Sequence, residues 1–258
     1  PLLLKIDSSG IDGTLRAVQD GDATDSALSI ATDSVLVKGS GIRLYFHDAD
    51  GGEHIAGDGT DLTISSGNDI VFALGAALFG EDAGTALTTG DTSVAIGYGA
   101  LKTEDTNSEN TAVGAEALMT QNGADGNTAV GFRAGYDLTT GASNAFFGAE
   151  AAANIVGGTD NVVIGKGALS TSTDLDKAVI IGRSAAQTGD ITSAADGTVA
   201  IGYESLKALT TGQANTAIGF ETLDVVTDGD FNTALGYQAL SGSTASGTAA
   251  NTAVGYRA

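Results

Sequence analysis

The chain has 258 residues, with 11 Lys and Arg against 32 Asp and Glu, 38 glycines, one proline and no cysteine. The formal net charge of −21 argues against nucleic acid and anionic membrane surfaces as partners, because like charges repel. The absence of cysteine excludes disulfides and thiolate sites, and no apolar stretch is long enough to span a bilayer.

Residues 1–70 contain short β-type runs, such as "PLLLKI", "SALSIAT" and "IRLYFHD", separated by Asp, Gly and Ser turns without a fixed period. This pattern predicts an irregular β-rich shaft or collar region over residues 1–70. The repeats described below then occupy residues 71–258, and the boundary is expected between residues 70 and 80.

The densest group of polar side chains in the first region is "HDADGGEH", which holds His47, Asp48, Asp50, Glu53 and His54. Imidazole and carboxylate groups bind transition metals, and "DADGG" is half of a calcium loop. The rest of a calcium loop is missing, so a hairpin turn whose polar groups face water is the favoured interpretation. We predict no metal site, and metal binding here stays the alternative.

A short word is repeated throughout residues 71–258, as in "NTAVGAEAL" at 110–118 and "NTALGYQAL" at 232–240. Its glycine is predicted at Gly75, Gly97, Gly114, Gly131, Gly148, Gly165, Gly182, Gly202, Gly219, Gly236 and Gly255. Most steps are 17 residues, and the exceptions are steps of 22, 20 and 19. The longer steps carry insertions, such as 188–197 and 241–250, which we expect in loops between intact repeats.

The residues before the glycine form two columns. A large apolar residue stands one position before it, as in Ile96 and Val254, and alanine usually stands two positions before it, as in Ala95 and Ala253. Side chains alternate across a strand, so the two columns lie on opposite faces. We predict that the large residues fill the core and that Ala and Gly face a neighbouring chain.

A second short segment follows the glycine, such as "AEAL" or "YQAL", and a polar turn follows it. Two segments and two turns within 17 residues are too short for a helical repeat. We predict an all-β fold, a parallel β-solenoid (β-roll) of about eleven coils, forming a rod on the order of 50 Å long at about 4.8 Å per coil.

Asparagine begins the word in seven repeats, at Asn110, Asn127, Asn144, Asn161, Asn215, Asn232 and Asn251. Asparagines stacked in register form hydrogen-bonded ladders. Asparagine is also common in turns for local reasons, and both interpretations stay open at this point.

Three consecutive repeats depart from the pattern, because Phe146, Val163 and Ile180 replace the alanine. In two of these repeats, Lys166 and Arg183 replace the aromatic residue that often follows the glycine. One hypothesis is that the close-approach face widens there and that the two cations find acidic partners across a chain interface. Neutral drift at tolerant positions is the alternative.

Candidate catalytic residues are few. Four acids share the column two positions after the glycine, at Glu116, Glu150, Glu204 and Glu221, and a solvated surface is the favoured interpretation. The two histidines lie outside the repeats, so no Ser-His-Asp triad is formed there. We predict no catalytic residues, no cofactor and no enzymatic activity; a tailspike-like polysaccharide depolymerase is the less favoured alternative.

The repeats resemble known fibrous proteins. "SVAIG" at 93–97 matches the repeat of the left-handed β-roll heads of trimeric autotransporter adhesins, and the "NTAVGYxAL" pattern resembles repeat arrays in bacteriophage tail fibres. The stretch 42–70 also resembles linker modules of virion proteins. The resemblance covers about residues 71–258 and implies a structural fibre in the virion, or alternatively an adhesin head on a bacterial surface.

We therefore expect a parallel homotrimer that carries or forms a host-recognition surface. Its expected partners are copies of itself, other tail or virion proteins, and a host receptor or glycan, without nucleic acid or membrane insertion. A solenoid needs its ends covered, so we expect the fibre to continue beyond Ala258 or another subunit to dock on this end.

Overall fold

The computed structural model describes residues 77–87, 92–104, 109–242 and 250–258. The predicted shaft region and the cluster from His47 to His54 lie outside these residues. The described part forms a parallel β-solenoid of 10–11 coils without an α-helix. The predicted fold class of the repeat region is confirmed.

Each coil contributes one strand of three residues, and the eleven strands form one parallel sheet in chain order. The strands are β1 Ala77–Phe79, β2 Val94–Ile96, β3 Thr111–Val113, β4 Thr128–Val130, β5 Ala145–Phe147, β6 Val162–Ile164, β7 Val179–Ile181, β8 Val199–Ile201, β9 Thr216–Ile218, β10 Thr233–Leu235 and β11 Thr252–Val254. Equivalent repeat positions pair directly, so the sequence period sets the register.

The first described coil differs from the prediction. Phe79 pairs with Ile96, so Gly80, and not Gly75, precedes Gly97 in the glycine column. The first step is therefore 17 residues and not 22. The signal was missed because the bulky Leu78 occupies the position where most repeats have alanine.

The insertion at 188–197 leaves the sheet intact, as predicted. β7 pairs in register with β8, and the extra residues include a short 3-10 turn at Ser193–Ala195. Ile191 and Ala195 are fully buried, so the insertion also adds side chains to the core. Residues 243–249 of the other insertion lie outside the described part.

The prediction of which strand face forms the core was wrong. Ala95 and Ala217 are fully buried, whereas Ile96 is 39% exposed and Leu235 is 45% exposed. Fully buried leucines of the segment after the glycine, such as Leu118, complete the core. The coil is thin, so one leucine opposite one alanine fills it and a second large side chain would overfill it.

The three departures from alanine are accommodated inside this core. Phe146, Val163 and Ile180 are fully buried. A methyl group on Gly135 would lie 2.8 Å from Phe146 Cδ2, and Gly135 stands where Leu118 stands in the previous coil. Small residues thus offset large ones, which contradicts the hypothesis that an outer face widens at Phe146.

The repeat glycines are required by backbone geometry. Their φ angles lie between +128° and +141°, a region that disfavours side chains. A methyl group on Gly131 would also lie 2.5 Å from the carbonyl oxygen of Gly148 in the next coil. The glycine column therefore permits coils to stack within one chain. The prediction that these glycines face a neighbouring chain was wrong.

The short segment after the glycine is a turn and not a strand. Glu116 and Leu118 have φ angles of 59° and 47°, and the same alternation recurs in other coils. The Glu116 N–H donates to the Tyr98 carbonyl at 2.7 Å, and the Leu118 N–H donates to the Ala134 carbonyl at 3.0 Å. These inter-coil bonds satisfy the backbone without a second sheet.

Of the two interpretations of the asparagine column, the structure shows the hydrogen-bonded ladder. The Asn144 side chain is buried, and its Oδ1 accepts the Asn161 N–H at 3.0 Å. Its Nδ2 donates to the Gly158 carbonyl at 2.7 Å. Asn127 makes the equivalent bonds one coil earlier, so each amide joins its own coil to the next. Ala178 and Thr198 interrupt the column.

Candidate interaction surface

The main surface feature is the side of the sheet that faces away from the core, here called the outer face. It comprises the first and last residues of each strand and the residue directly after the repeat glycine. Ile96 and Tyr98 represent it in one coil, and Phe147 and Ala149 in another. Charged residues occur in it only at Glu81, Lys166 and Arg183 among the described coils.

Large apolar side chains are exposed or half-buried along the outer face. The last strand residue is 46% exposed at Phe79, 40% at Phe147 and 65% at Val254. Equivalent residues repeat at about 4.8 Å, so this apolar column extends roughly 50 Å. Soluble monomers seldom expose a continuous apolar surface of this size.

Aromatic rings stack at the edge of the outer face in the last four coils. Ring centroids are 5.1 Å apart for Tyr203 and Phe220, 5.1 Å for Phe220 and Tyr237, and 5.3 Å for Tyr237 and Tyr256. The rings cover one another's faces, so mainly their edges are available to a partner. A sugar or base that stacks on an aromatic ring needs a free face, which this stack offers poorly.

Lys166 and Arg183 interrupt the aromatic column in two consecutive coils. Both side chains are exposed, and the ion pairs found among the described residues involve neither of them. The Arg183 guanidinium lies 6.0 Å from the centroid of the Tyr203 ring. The two cations are thus available to acidic groups outside the chain, and the prediction of such partners stays a prediction.

The acid column runs beside the aromatic column, but its carboxylates do not converge on one point. Glu221 accepts a hydrogen bond from Gln238 Nε2 at 2.7 Å. Glu116 lies 3.3 Å from Arg133 Nε, without hydrogen-bond geometry. Each contact therefore links neighbouring coils along the surface.

Glu204 shows the local electrostatics of this column. Lys207 Nζ donates to Glu204 Oε2 at 2.8 Å. This hydrogen bond lowers the pKa of Glu204 and raises the pKa of Lys207. A hydrogen bond to Glu204 also raises the pKa of Tyr203. Both members of the ion pair are solvated, so the pair stabilises the fold little.

A buried polar pair in the early coils was missed by the sequence analysis. Glu104 and Gln121 are fully buried, and Gln121 Nε2 donates to Glu104 Oε2 at 3.0 Å and to the Ala124 carbonyl at 2.6 Å. Later coils have Leu138 and Ile155 at the same repeat position. The available signal was a large polar residue in a column that holds Leu138, Ile155 and Leu209 in other coils.

No group of three or more His, Asp or Glu side chains suited to a metal lies within the described residues. The candidate cluster at His47 to His54 is outside them. In the described part of the chain, no helix has the length and hydropathy to cross a bilayer.

Comparisons with known proteins assign no family. No family model matches the chain, and no curated protein or solved structure is significantly similar to it.

Proposed function

We propose that the chain is a structural segment of a homotrimeric bacteriophage tail fibre. In this role it holds a host-recognition tip away from the virion or forms part of that tip. The resemblance of the "NTAVGYxAL" words to tail-fibre repeats supports this proposal, and so does the stack of in-register coils. Backbone and asparagine hydrogen bonds along the rod resist bending.

The outer face is the observation that carries the proposal. It presents exposed Phe147, Ile164 and Leu235 in an almost uncharged column. A second copy has the same spacing between coils, so it matches this column at every level. Copies related by rotation about an axis along the rod form a closed ring, which buries the outer face and leaves the Asp-rich turns in water.

A bacterial surface adhesin head is the second candidate. The word "SVAIG" at 93–97 favours it, because it matches the adhesin repeat as it stands. The same burial of the outer face would apply, and the exposed turns would then bind the host molecule. The two candidates differ in location, which is the virion for the fibre and the bacterial cell surface for the adhesin.

The proposed partners follow from this assignment. They are other copies of the chain, tail or virion proteins at the rod ends, and a host receptor or glycan at the exposed turns. The net charge of −21 opposes binding to nucleic acid. A structural role without catalysis agrees with the acid column, in which Glu116, Glu204 and Glu221 contact side chains along the surface.

Electron microscopy with an antibody raised against the purified chain tests the location. The fibre proposal predicts labelling of tail appendages on intact virions. Labelling of bacterial cells in virus-free cultures, without labelling of virions, would contradict the fibre and favour the adhesin.

A further inference from the structure

The outer face has two edges, each formed by one residue per coil. The trailing edge is the residue directly after the repeat glycine. The leading edge is the residue five positions before that glycine, such as Asp160 before Gly165. All described leading-edge residues from Glu109 onward are exposed. They lie at the bend before the strand, where Asp160 has a φ angle of 60°.

The two edges are complementary in size in several coils. Where the trailing edge is aromatic, the leading edge of the same coil is often glycine or alanine. Four coils show this relation, with the pairs Phe132 and Gly126, Tyr203 and Gly197, Phe220 and Ala214, and Tyr256 and Ala250. Where the trailing edge is the small Ala115, the leading edge is the larger Glu109. Three coils are exceptions, with the pairs Tyr98 and Thr92, Ala149 and Ser143, and Tyr237 and Phe231.

The edges are also complementary in charge in the coil of Gly165. Lys166 on the trailing edge and Asp160 on the leading edge are both exposed. They flank strand β6, whose three residues alone span about 10 Å, and the ion pairs found among the described residues do not join them. The next coil is an exception, because the leading-edge residue Lys177 has the same charge as Arg183 on the trailing edge.

Symmetry decides which edges meet. Rotation about an axis along the rod places the trailing edge of one copy against the leading edge of the next, at the same coil level. An antiparallel face-to-face dimer instead brings identical edges together, and at the middle of the array it would oppose Lys166 to Lys166. The complementary edges therefore favour parallel copies in register.

We propose that Lys166 of one copy pairs with Asp160 of the next copy in the ring, and that this contact and the aromatic-to-small matches set the parallel register. The inference rests on the proposed oligomeric fibre and adds the arrangement of its chains. The apolar columns supply most of the burial, whereas the edges exclude antiparallel and shifted arrangements.

Cysteine cross-linking tests this contact directly, since the chain has no cysteine of its own. The double variant Asp160→Cys with Lys166→Cys is oxidised mildly and separated by non-reducing electrophoresis. A disulfide needs Cβ atoms about 4 Å apart, so bridges form only between chains. We expect a band of three chain masses that returns to one chain mass on reduction.

Two variants serve as controls. Asp174→Cys with Lys166→Cys places the second thiol on an exposed residue of the same coil, outside the outer face, and should give no covalent ring. Lys166→Cys alone should remain a single chain in the gel. A covalent dimer from this single variant would indicate an antiparallel contact and would overturn the inference.

Native mass measurement of the same samples separates the two proposals. An oligomer in solution whose double variant forms no more covalent ring than the Asp174 control would overturn the edge contact and leave the fibre proposal standing. A monomer in solution would overturn both.

Discussion

Gly131 combines two features that only glycine satisfies. Its φ angle is +139°, and any side chain would meet the carbonyl of Gly148 at 2.5 Å. The same combination recurs in the column and fixes how closely coils approach. Asn144 adds the polar counterpart, because its amide satisfies one donor and one acceptor of the buried backbone.

Gly131→Ala should destabilise the fold by roughly 2–4 kcal/mol, because it adds left-handed strain and displaces the next coil. Urea unfolding followed by circular dichroism measures this effect. Gly242→Ala is the matched control, since a methyl group there meets nothing within 4 Å. Equal unfolding midpoints for the two variants would contradict the stacking role of the glycine column.

Asn144→Ala should cost about 2 kcal/mol of stability, because the buried N–H of Asn161 and the buried carbonyl of Gly158 lose their partner. Thermal unfolding compares it with Asn122→Ala, which removes an exposed asparagine and should change stability by less than about 0.5 kcal/mol. A loss no greater than that of the control would show that the ladder is dispensable.

Asp224 provides a pH-dependent prediction. Burial, the first cause, raises its pKa above the ordinary value, and its Oδ1 is buried without a hydrogen-bond partner. The folded state therefore prefers the protonated form, and this contribution is lost as pH rises from the ordinary aspartate range through the raised pKa.

Asp224→Asn should accordingly raise the unfolding temperature at pH 7 and leave it nearly unchanged at pH 3, where the aspartate is protonated. Calorimetry at the two pH values measures the difference. Asp174→Asn, at an exposed position, controls for the change in net charge. A variant that is no more stable than this control at pH 7 would refute the predicted cost of burying the charged Asp224 carboxylate.

At the scale of the element, each coil is one strand, one hydrogen-bonded turn segment and a closing turn around a thin core. The volume inside is shared between two columns, the strand residue that is usually alanine and the turn residue that is usually leucine. Phe146 beside Gly135, and Leu78 beside Gly84, are the large-to-small exchanges that keep this volume nearly constant.

Phe146→Ala and Gly135→Leu should compensate each other. The first leaves a cavity that costs about 3–5 kcal/mol, and the second overpacks the core by about 1–3 kcal/mol. The backbone tolerates leucine there, because Leu118 has a φ angle of 47° where Gly135 has 60°. Together they restore the usual alanine and leucine pair, so the double variant should be more stable than the sum predicts.

Chemical denaturation of the two single variants and the double variant gives the coupling energy. Phe146→Ala with Gly242→Ala is the control pair and should be additive. Additivity in the Phe146 and Gly135 pair as well would contradict the shared volume.

The sequence predicted the coil and its period, and it offered the asparagine ladder as one of two interpretations, because stacking repeats the same contact in every coil. It did not predict which face is buried. Alternation shows that Ala95 and Ile96 lie on opposite sides, but not which side is inside. The volume of Leu118 in the following segment would have shown it, since a coil this thin holds only one large side chain with alanine opposite.

At the scale of the whole molecule, the orientation of the strand faces determines which side chains are available for contact between copies. Prediction placed small residues between chains, whereas the structure exposes a column of large ones, from Phe79 to Val254. This face is a stronger reason for association, because burying it removes much more apolar surface from water. The proposed interface lies between copies, so its contacts do not follow from the repeat pattern within one chain.

Native mass spectrometry of the purified chain tests the central claim most directly, namely that the outer face is an interface between copies. The account predicts a species of three times the 25.4 kDa chain mass that persists on dilution to micromolar concentration. A stable monomer of 25.4 kDa, with the solenoid intact by circular dichroism, would contradict it.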